Sequence, residues 1–140
     1  MMEDSSMRRL AHYAERKEHR LIGIMSGTSF DGVDAVLVLI ALDEAGKIAS
    51  LRMEGHFSVP YSQEFQRRLL KLCSPETARI DELVYAHAAL AEWYAAAVHG
   101  LLNASGRKAD SIAALCLHGQ TVWHAPNAAV FPGPDGTMIE

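Results

Sequence analysis

Cysteine is scarce in this chain. Cys73 and Cys116 are the two present, and both lie in apolar sequence surroundings with no metal-ligand spacing. That excludes a disulfide framework or a zinc module, and both are expected to be reduced, small core residues. Long apolar runs are missing as well. The longest, residues 35–42, is eight residues, whereas a membrane-spanning helix needs about 20. The first 20 residues mix acids and bases around no apolar stretch, which is not the pattern of a signal peptide. There is no excess of basic charge. Thirteen basic and 17 acidic side chains leave a net charge of −4, and the pI is near 5.9. Aromatics are 7% of the chain and none is interleaved with a basic run, so the electrostatic footprint of a nucleic-acid binder is lacking. No Gly-Lys-Ser/Thr occurs, so there is no Walker A loop. These absences together point to a cytoplasmic protein with neither membrane nor nucleic acid as partner.

What remains is ordinary in bulk. Hydrophobic residues are 49% and charged residues 21%, as in soluble globular domains. The 140 residues suffice for one domain of usual size. Residues 1–19 read as an extension, with a short helix over 8–18 whose charges surround little more than Leu10, Ala11 and Ala14. It is expected to be frayed or weakly docked.

The next 40 residues read as three strands. Leu21-Ile22-Gly23-Ile24-Met25 is short and apolar. Residues 34–42 are β-branched-rich and apolar on both faces, as a central strand would be. Residues 47–59 form a third strand closed by Pro60. Short connections imply an antiparallel meander. Ser62 is placed to cap a helix over 63–73 with Phe65, Leu69, Leu70 and Leu72 inward. Ser74-Pro75 restarts the chain, since proline suits a first helical turn. The spacing from Ile80 to Leu102 predicts a long helix with Ile80, Leu83, Val84, His87, Leu90, Ala91, Tyr94, Ala97, Val98, Leu101 and Leu102 on one stripe. His87 is then a hydrogen-bonded core residue, and Ser105-Gly106-Arg107-Lys108 ends the helix. Residues 112–117 predict a short buried strand parallel to the first, because a long helix leads back to the sheet. Beyond Thr121, Pro126, Pro132, Gly133, Pro134 and Gly136 mark a long loop. Thr137-Met138-Ile139-Glu140 resembles the opening of another strand, and the chain looks cut at Glu140 rather than finished. The expected fold is α/β with βββαβ order, a mixed sheet and one long crossover helix.

Two constellations carry more chemistry than turns need. Met25-Ser26-Gly27-Thr28-Ser29-Phe30-Asp31-Gly32-Val33-Asp34 joins two strands with two glycines, three hydroxyls and two carboxylates. Gly27 and Gly32 allow backbone amides to approach a ligand. Consecutive amides with hydroxyls form an anion-binding nest, and Asp31 or Asp34 suits Mg²⁺ beside phosphates. The alternative is a plain polar hairpin, since Ser, Asp and Gly are good turn residues. The second constellation, Leu117-His118-Gly119-Gln120-Thr121-Val122-Trp123-His124-Ala125-Pro126, begins where a strand ends, the usual place for ligands in open α/β sheets. His118, Gln120 and Thr121 suit sugar hydroxyls or an acetamido group, and Trp123 offers a flat face. Here the alternative is a strand-to-loop transition with a core Trp. Nothing in the sequence links Ser26 or Ser29 to a histidine base, so no Ser-His-Asp triad is read.

In order and spacing, the two motifs closely resemble anhydro-N-acetylmuramic acid kinase. The resemblance covers about residues 20–140. It implies the first lobe of an actin-like, ribonuclease H-like ATPase fold, whose lobes are built in βββαβαβα order. It implies an enzyme that uses ATP and water to open the 1,6-anhydro ring of its sugar and phosphorylates O6, giving N-acetylmuramic acid 6-phosphate in bacterial peptidoglycan recycling. Ser26, Gly27, Thr28, Ser29, Phe30, Asp31, Gly32, Val33 and Asp34 then form the first phosphate-binding hairpin, with Asp31 near Mg²⁺ through water. His118, Gly119, Gln120 and Thr121 form part of the sugar side. The resemblance also implies a catalytic aspartate just beyond Glu140, with a second phosphate segment and an adenosine pocket later still. No residue of 1–140 matches any of these. The chain is therefore expected to be an N-terminal piece without turnover of its own, the full-length form being a homodimer. A non-catalytic sugar- or nucleotide-binding module is the competing expectation.

Overall fold

The fold is a mixed α/β arrangement, here from a computed structural model. It describes residues 3–124, 130–134 and 138–139. Helix α1 (Glu3–Glu15) leads into strand β1 (Glu18–Ser26), followed by β2 (Gly32–Leu42) and β3 (Ile48–Pro60). Helices α2 (Gln63–Lys71) and α3 (Ile80–Ser105) come next. A single 3₁₀ turn (Ala109–Ser111) precedes β4 (Ala114–Gln120), and β5 (Phe131–Pro132) pairs with β6 (Met138–Ile139).

The main sheet has the order β3-β2-β1-β4. Buried residues alternate with more open ones along much of the first two strands, since the pleat sends every second side chain to one face. Ile22, Ile24 and Ser26 of β1 and Val33, Ala35 and Leu37 of β2 are the buried row. α3 covers that face, lying across β3 and β2 and reaching β1. β1 runs antiparallel to β2 and parallel to β4, so the expected mixed sheet and long crossover helix are both present.

Local signals act as the sequence suggests at several ends. The Ser62 hydroxyl accepts from the Phe65 amide at 3.2 Å and starts α2. Gly106 ends α3 in the left-handed conformation, φ 64°. Phe65, Trp93 and Tyr61 form an aromatic cluster with centroids 5.1–5.5 Å apart, packing α2 against α3.

Other expectations need correction. The N-terminal helix spans Glu3–Glu15 rather than 8–18, because the chain turns into the sheet at Lys17 and β1 starts at Glu18. The Lys17 carbonyl accepts the Leu42 amide at 2.8 Å, and Glu18 pairs with Ala41. α1 meets the sheet where the Tyr13 ring rests on buried His19, centroids 4.3 Å apart. Ser74-Pro75 does not open α3. The Ser74 carbonyl takes the amides of Thr77 and Ala78, which makes a tight turn, and α3 starts five residues after Pro75. The strand expected over 137–140 is described at two of its residues. Met138 and Ile139 form it as β6, while Thr137 and Glu140 lie outside the described residues.

The stripe of α3 is buried only in part. Ala86, Leu90, Ala97, Leu101 and Leu102 are core, but Ile80 is 83% exposed, and Leu83, Val84, His87 and Ala91 are also exposed or half-buried. His87 is thus not a core residue. Leu70 is turned outward on α2. β4 is exposed along Leu115, Cys116, Leu117 and His118. It is an edge strand, and among the described residues no element lies beyond it. Cys116 is therefore an exposed thiol and Cys73 a half-buried one, both unpaired as disulfides. Periodicity reports that a face is apolar and says nothing of what covers it. No helix among the described residues is long and apolar enough to cross a membrane.

Beneath the sheet lies an ion cluster. Register shifts between Leu37 and Val38, passing over Glu54 in β3, and such a bulge re-aims a side chain. Glu54 is turned into a nest of three arginines. Arg20 Nε donates at 2.7 Å, Arg52 Nη2 at 3.0 Å and Arg107 Nη2 at 3.4 Å. Its side chain is 7% exposed. The hydrogen bond from Arg20, with the charges of Arg20, Arg107 and Arg52, holds the carboxyl below its ordinary value.

Candidate active site

The two sequence motifs meet at one end of the sheet. β1 and β4 run parallel, so their carboxyl ends lie side by side, with Ser26 paired to Gln120. The hairpin that follows β1 and the residues that close β4 are thereby neighbours.

A small network of hydrogen bonds joins them. The Ser26 hydroxyl, 2% exposed, donates to the Gly119 carbonyl at 3.3 Å. That leaves its oxygen to accept from the Tyr94 hydroxyl of α3 at 3.1 Å. Gln120 Nε2 donates to the Gly27 carbonyl at 2.9 Å. Tyr61, at the β3–α2 junction, donates its hydroxyl to Gln120 Oε1 over a long 3.4 Å. Burial pushes the Tyr61 phenol up to about 12, offset in part by the Ser26 hydroxyl, so it stays a donor at neutral pH. Gly119 reaches this geometry at φ 83°, a region that L side chains rarely enter.

The hairpin itself is fixed by its two ends. Phe30 sits at φ 55° in the left-handed region, with its ring in the core at 6% exposure. Its amide donates to the Gly27 carbonyl at 3.2 Å. Ser29 Oγ donates to Asp31 Oδ1 at 2.8 Å. The Asp31 carbonyl takes the Tyr61 amide at 2.9 Å, tying the hairpin to the end of β3. Gly32 is pressed against β3. A Cβ there would stand 2.4 Å from the Val59 carbonyl oxygen and 2.9 Å from the Pro60 Cα. At Gly27 a Cβ would meet nothing nearer than Ser29 Oγ at 3.5 Å.

The nine hairpin residues therefore divide. Gly27, Thr28, Ser29 and Asp31 are exposed on the hairpin surface. Ser26, Phe30 and Val33 are buried, leaving only their backbone for a ligand. Asp34 is engaged on the face away from α3. Its Oδ1 accepts from the Ser58 hydroxyl at 2.5 Å and lies 3.2 Å from His56 Nε2. Ser, His and Asp come together here, but Ser58 and Asp34 both contact the same ring nitrogen, so this is no relay.

The second motif divides too. Gly119 and Gln120 line a groove of about 370 Å³ between α3 and β4, together with Leu90, Tyr94, Leu117 and Val122. His118 opens instead toward Gly23, Met25 and Asp34 on the opposite face. Thr121, Trp123 and His124 are exposed, while Ala125 and Pro126 lie outside the described residues. So does Glu140. Among the described residues no cluster of three His, Cys, Asp or Glu side chains could hold a metal ion by itself.

The family model for anhydro-N-acetylmuramic acid kinase matches residues 19–133, a span that contains both motifs. The chain belongs to the anhydro-N-acetylmuramic acid kinase family. Curated members similar to it include one from Caldanaerobacter subterraneus subsp. tengcongensis, 34% identical over 124 residues, covering 86% of this chain and 30% of the relative. One from Photobacterium profundum is 40% identical over 107 residues, 76% of this chain and 27% of the relative. A third, from Chromobacterium violaceum, is 45% identical over 109 residues, 76% and 28% respectively. The chain thus spans about three tenths of the length of these family members. The family resemblance carried by the two motifs is borne out.

Tyr61 and Tyr94 are the site residues that the sequence does not single out. Tyr94 stands there only as one more member of the α3 stripe, and Tyr61 follows a strand-ending proline. The available signal is chemical: a tyrosine within an apolar pattern needs a partner for its hydroxyl, and both find one in the motif residues.

Proposed function

We propose that these residues form the phosphate-binding face and part of the sugar side of an ATP-dependent kinase. Its reaction opens 1,6-anhydro-N-acetylmuramic acid with water and phosphorylates O6, giving N-acetylmuramic acid 6-phosphate. Family membership supports the reaction class. The observation that carries the assignment of sites is the contact of the two motifs, Ser26 with Gly119 and Gly27 with Gln120. A kinase must hold phosphoryl donor and acceptor side by side, and phosphoryl transfer rests mainly on such positioning and on charge neutralisation.

In this reading the exposed hairpin residues Gly27, Thr28, Ser29 and Asp31 face the ATP phosphates. Backbone amides and the Thr28 and Ser29 hydroxyls act as donors. Ser26, Phe30, Gly32 and Val33 hold the hairpin in place, and Asp34 flanks it on the far face. Gly119, Gln120 and Thr121 border the sugar side, and His118 stands beside them. Mg²⁺ fits this donor set. Asp31 is an exposed carboxylate with one oxygen engaged by Ser29, and Mg²⁺ ordinarily binds through one or two carboxylates plus substrate phosphates and water. When bound it would neutralise phosphate charge. The base that activates water is assigned to no residue from Met1 to Glu140. We place it in the part of the family's length that this chain does not span, and expect the chain alone to bind without turnover. A cytoplasmic location and a homodimeric full-length form belong to the same reading.

The test is a titration of the 140-residue chain, followed by amide NMR. MgATP should shift the Thr28, Ser29 and Asp31 amides, and 1,6-anhydro-N-acetylmuramic acid should shift those of Gly119 to Thr121. Shifts scattered elsewhere, or none at saturating ligand, would remove the site assignment. Steady sugar phosphorylation by the purified chain would refute the placement of the base.

A further inference from the structure

We propose that Gln120 is a positioning residue of the phosphate hairpin, held in turn by Tyr61, and that its target is the peptide joining Gly27 to Thr28. This rests on reading the hairpin as the phosphate site, and it gives that site's second motif a different task from sugar contact.

The Gln120 carboxamide is nearly filled by protein. Nε2 donates to the Gly27 carbonyl at 2.9 Å and to the Thr121 carbonyl at 3.3 Å, and Oε1 accepts from Tyr61. The orientation of the amide follows from chemistry. The Gly27 carbonyl can only accept, so the nitrogen must face it. Tyr61 is protonated at neutral pH and supplies the donor for the oxygen. Little capacity is left for a sugar hydroxyl.

The consequence lies one atom further on. The Gly27 carbonyl accepts twice, from Gln120 and from the Phe30 amide, so that it is held inward from two sides. Gly27 C=O and Thr28 N–H belong to one planar trans peptide and point in opposite directions. Fixing the carbonyl inward aims the Thr28 N–H outward, at the open side of the hairpin where Thr28 and Ser29 are exposed. An outward amide at this point is the donor a phosphate oxygen needs. Glycine at position 27 leaves that peptide free to turn, and the Gln120 amide adds to the Phe30 turn bond in selecting one orientation. Tyr61 acts at one remove, its ring packed on Phe65 and Trp93 while its hydroxyl fixes the amide flip.

The experiment uses two variants of the 140-residue chain. Gln120→Met keeps length and apolar contact but removes donor and acceptor. Tyr61→Phe removes a single hydroxyl. The probes are MgATP, inorganic tripolyphosphate and adenosine, read by calorimetry alongside amide exchange at Phe30, which shares the Gly27 acceptor. In Gln120→Met, affinity for MgATP and for tripolyphosphate should fall together by roughly three- to tenfold, the size of one lost hydrogen bond. Adenosine, whose pocket the family resemblance puts outside residues 1–140, should bind neither the variant nor the wild type, and Phe30 exchange should quicken. Tyr61→Phe should move the same readouts in the same direction by less, and it decides alone should Gln120→Met not fold. A folded variant with wild-type tripolyphosphate affinity and wild-type Phe30 exchange would overturn the clamp. Should the wild type bind no triphosphate, the phosphate reading falls. Phe30 exchange then decides the clamp by itself, unchanged exchange overturning it.

Discussion

The two glycines of the hairpin should behave oppositely when each is given a methyl group. Gly32 sits where β2 meets the end of β3, opposite Pro60. An alanine Cβ would lie 2.4 Å from the Val59 oxygen and 2.9 Å from the Pro60 Cα. Both obstacles are backbone, so no side chain can swing aside. Relief needs the strands to part by about 1 Å, a fifth of their ordinary spacing. That strains the last bond joining them, Tyr61 N–H to the Asp31 carbonyl at 2.9 Å. Overpacking of this kind costs about 1–3 kcal/mol, and the weakened hydrogen bond adds about 1 kcal/mol. A domain of this length loses roughly 3 °C of melting temperature per kcal/mol. Gly32→Ala is therefore expected to melt about 6–12 °C below the wild type.

Gly27→Ala is the control. Its φ lies outside the left-handed region and its nearest neighbour would be Ser29 Oγ at 3.5 Å. Its melting point should stay within about 2 °C of the wild type, as for a substitution without a named structural conflict, while MgATP affinity drops as the methyl crowds the hairpin surface. Thermal unfolding followed by circular dichroism separates the two. If Gly32→Ala melts with the wild type, or Gly27→Ala falls as far as Gly32→Ala, the division of the motif into a structural and a ligand-facing glycine is wrong.

Three other outcomes follow from the same contacts. Phe30→Ala should lose about 3–4 kcal/mol in a urea titration, the usual cost of deleting a buried aromatic ring. Phe30→Gly should be no less stable than Phe30→Ala, reversing the usual order, because φ 55° penalises every residue with a Cβ. Asp31→Ala should leave the melting point within about 2 °C, Asp31 being exposed, yet weaken MgATP binding about tenfold as measured by calorimetry. Glu54→Gln should cost about 1–3 kcal/mol at pH 7, since its carboxylate is nearly buried among three arginines. The sign of its pH dependence is set by Arg20, which holds the Glu54 carboxyl below its ordinary 4.5. The stabilisation is complete above about pH 4.5 and is lost as pH falls through the lower folded value. Wild type and variant should converge in acid, and a gap that widens below about pH 4 would contradict the ion cluster.

The elements with local causes were legible in the sequence. β2 is visible as an apolar, β-branched run, α2 through the Ser62 cap, and the end of α3 through Gly106. The parallel pairing of β4 with β1 can be reasoned from a long connecting helix. What escapes is every feature that depends on a neighbour. His87 and Leu83 share a stripe with Leu90, yet they are turned to the surface because, among the described residues, the sheet ends at β4 and does not cover them. Residues 112–117 read as a buried strand on composition, but burial also needs something on the far side of β4. The turn after α2 is not legible because Ser74 uses its carbonyl to close the chain back, a choice that a proline at position 75 does not reveal.

The site shows the same limit in sharper form. Both motifs are found by residue type alone, since glycines, hydroxyls and carboxylates at a strand end are an excess that a turn does not require. Residue type cannot assign tasks within them. Gly32 and Gly27 are identical letters, and only the distance to the Val59 carbonyl tells a packing constraint from an open surface. Ser26 and Ser29 are likewise identical, but strand alternation turns Ser26 inward to Tyr94 and Gly119, while the hairpin carries Ser29 out to Asp31. Gln120 has the chemistry to bind a sugar, and the parallel register of β4 on β1 places its amide against Gly27 instead. A motif thus names the place where chemistry gathers. The pairing of strands decides which members reach the ligand and which hold the others still.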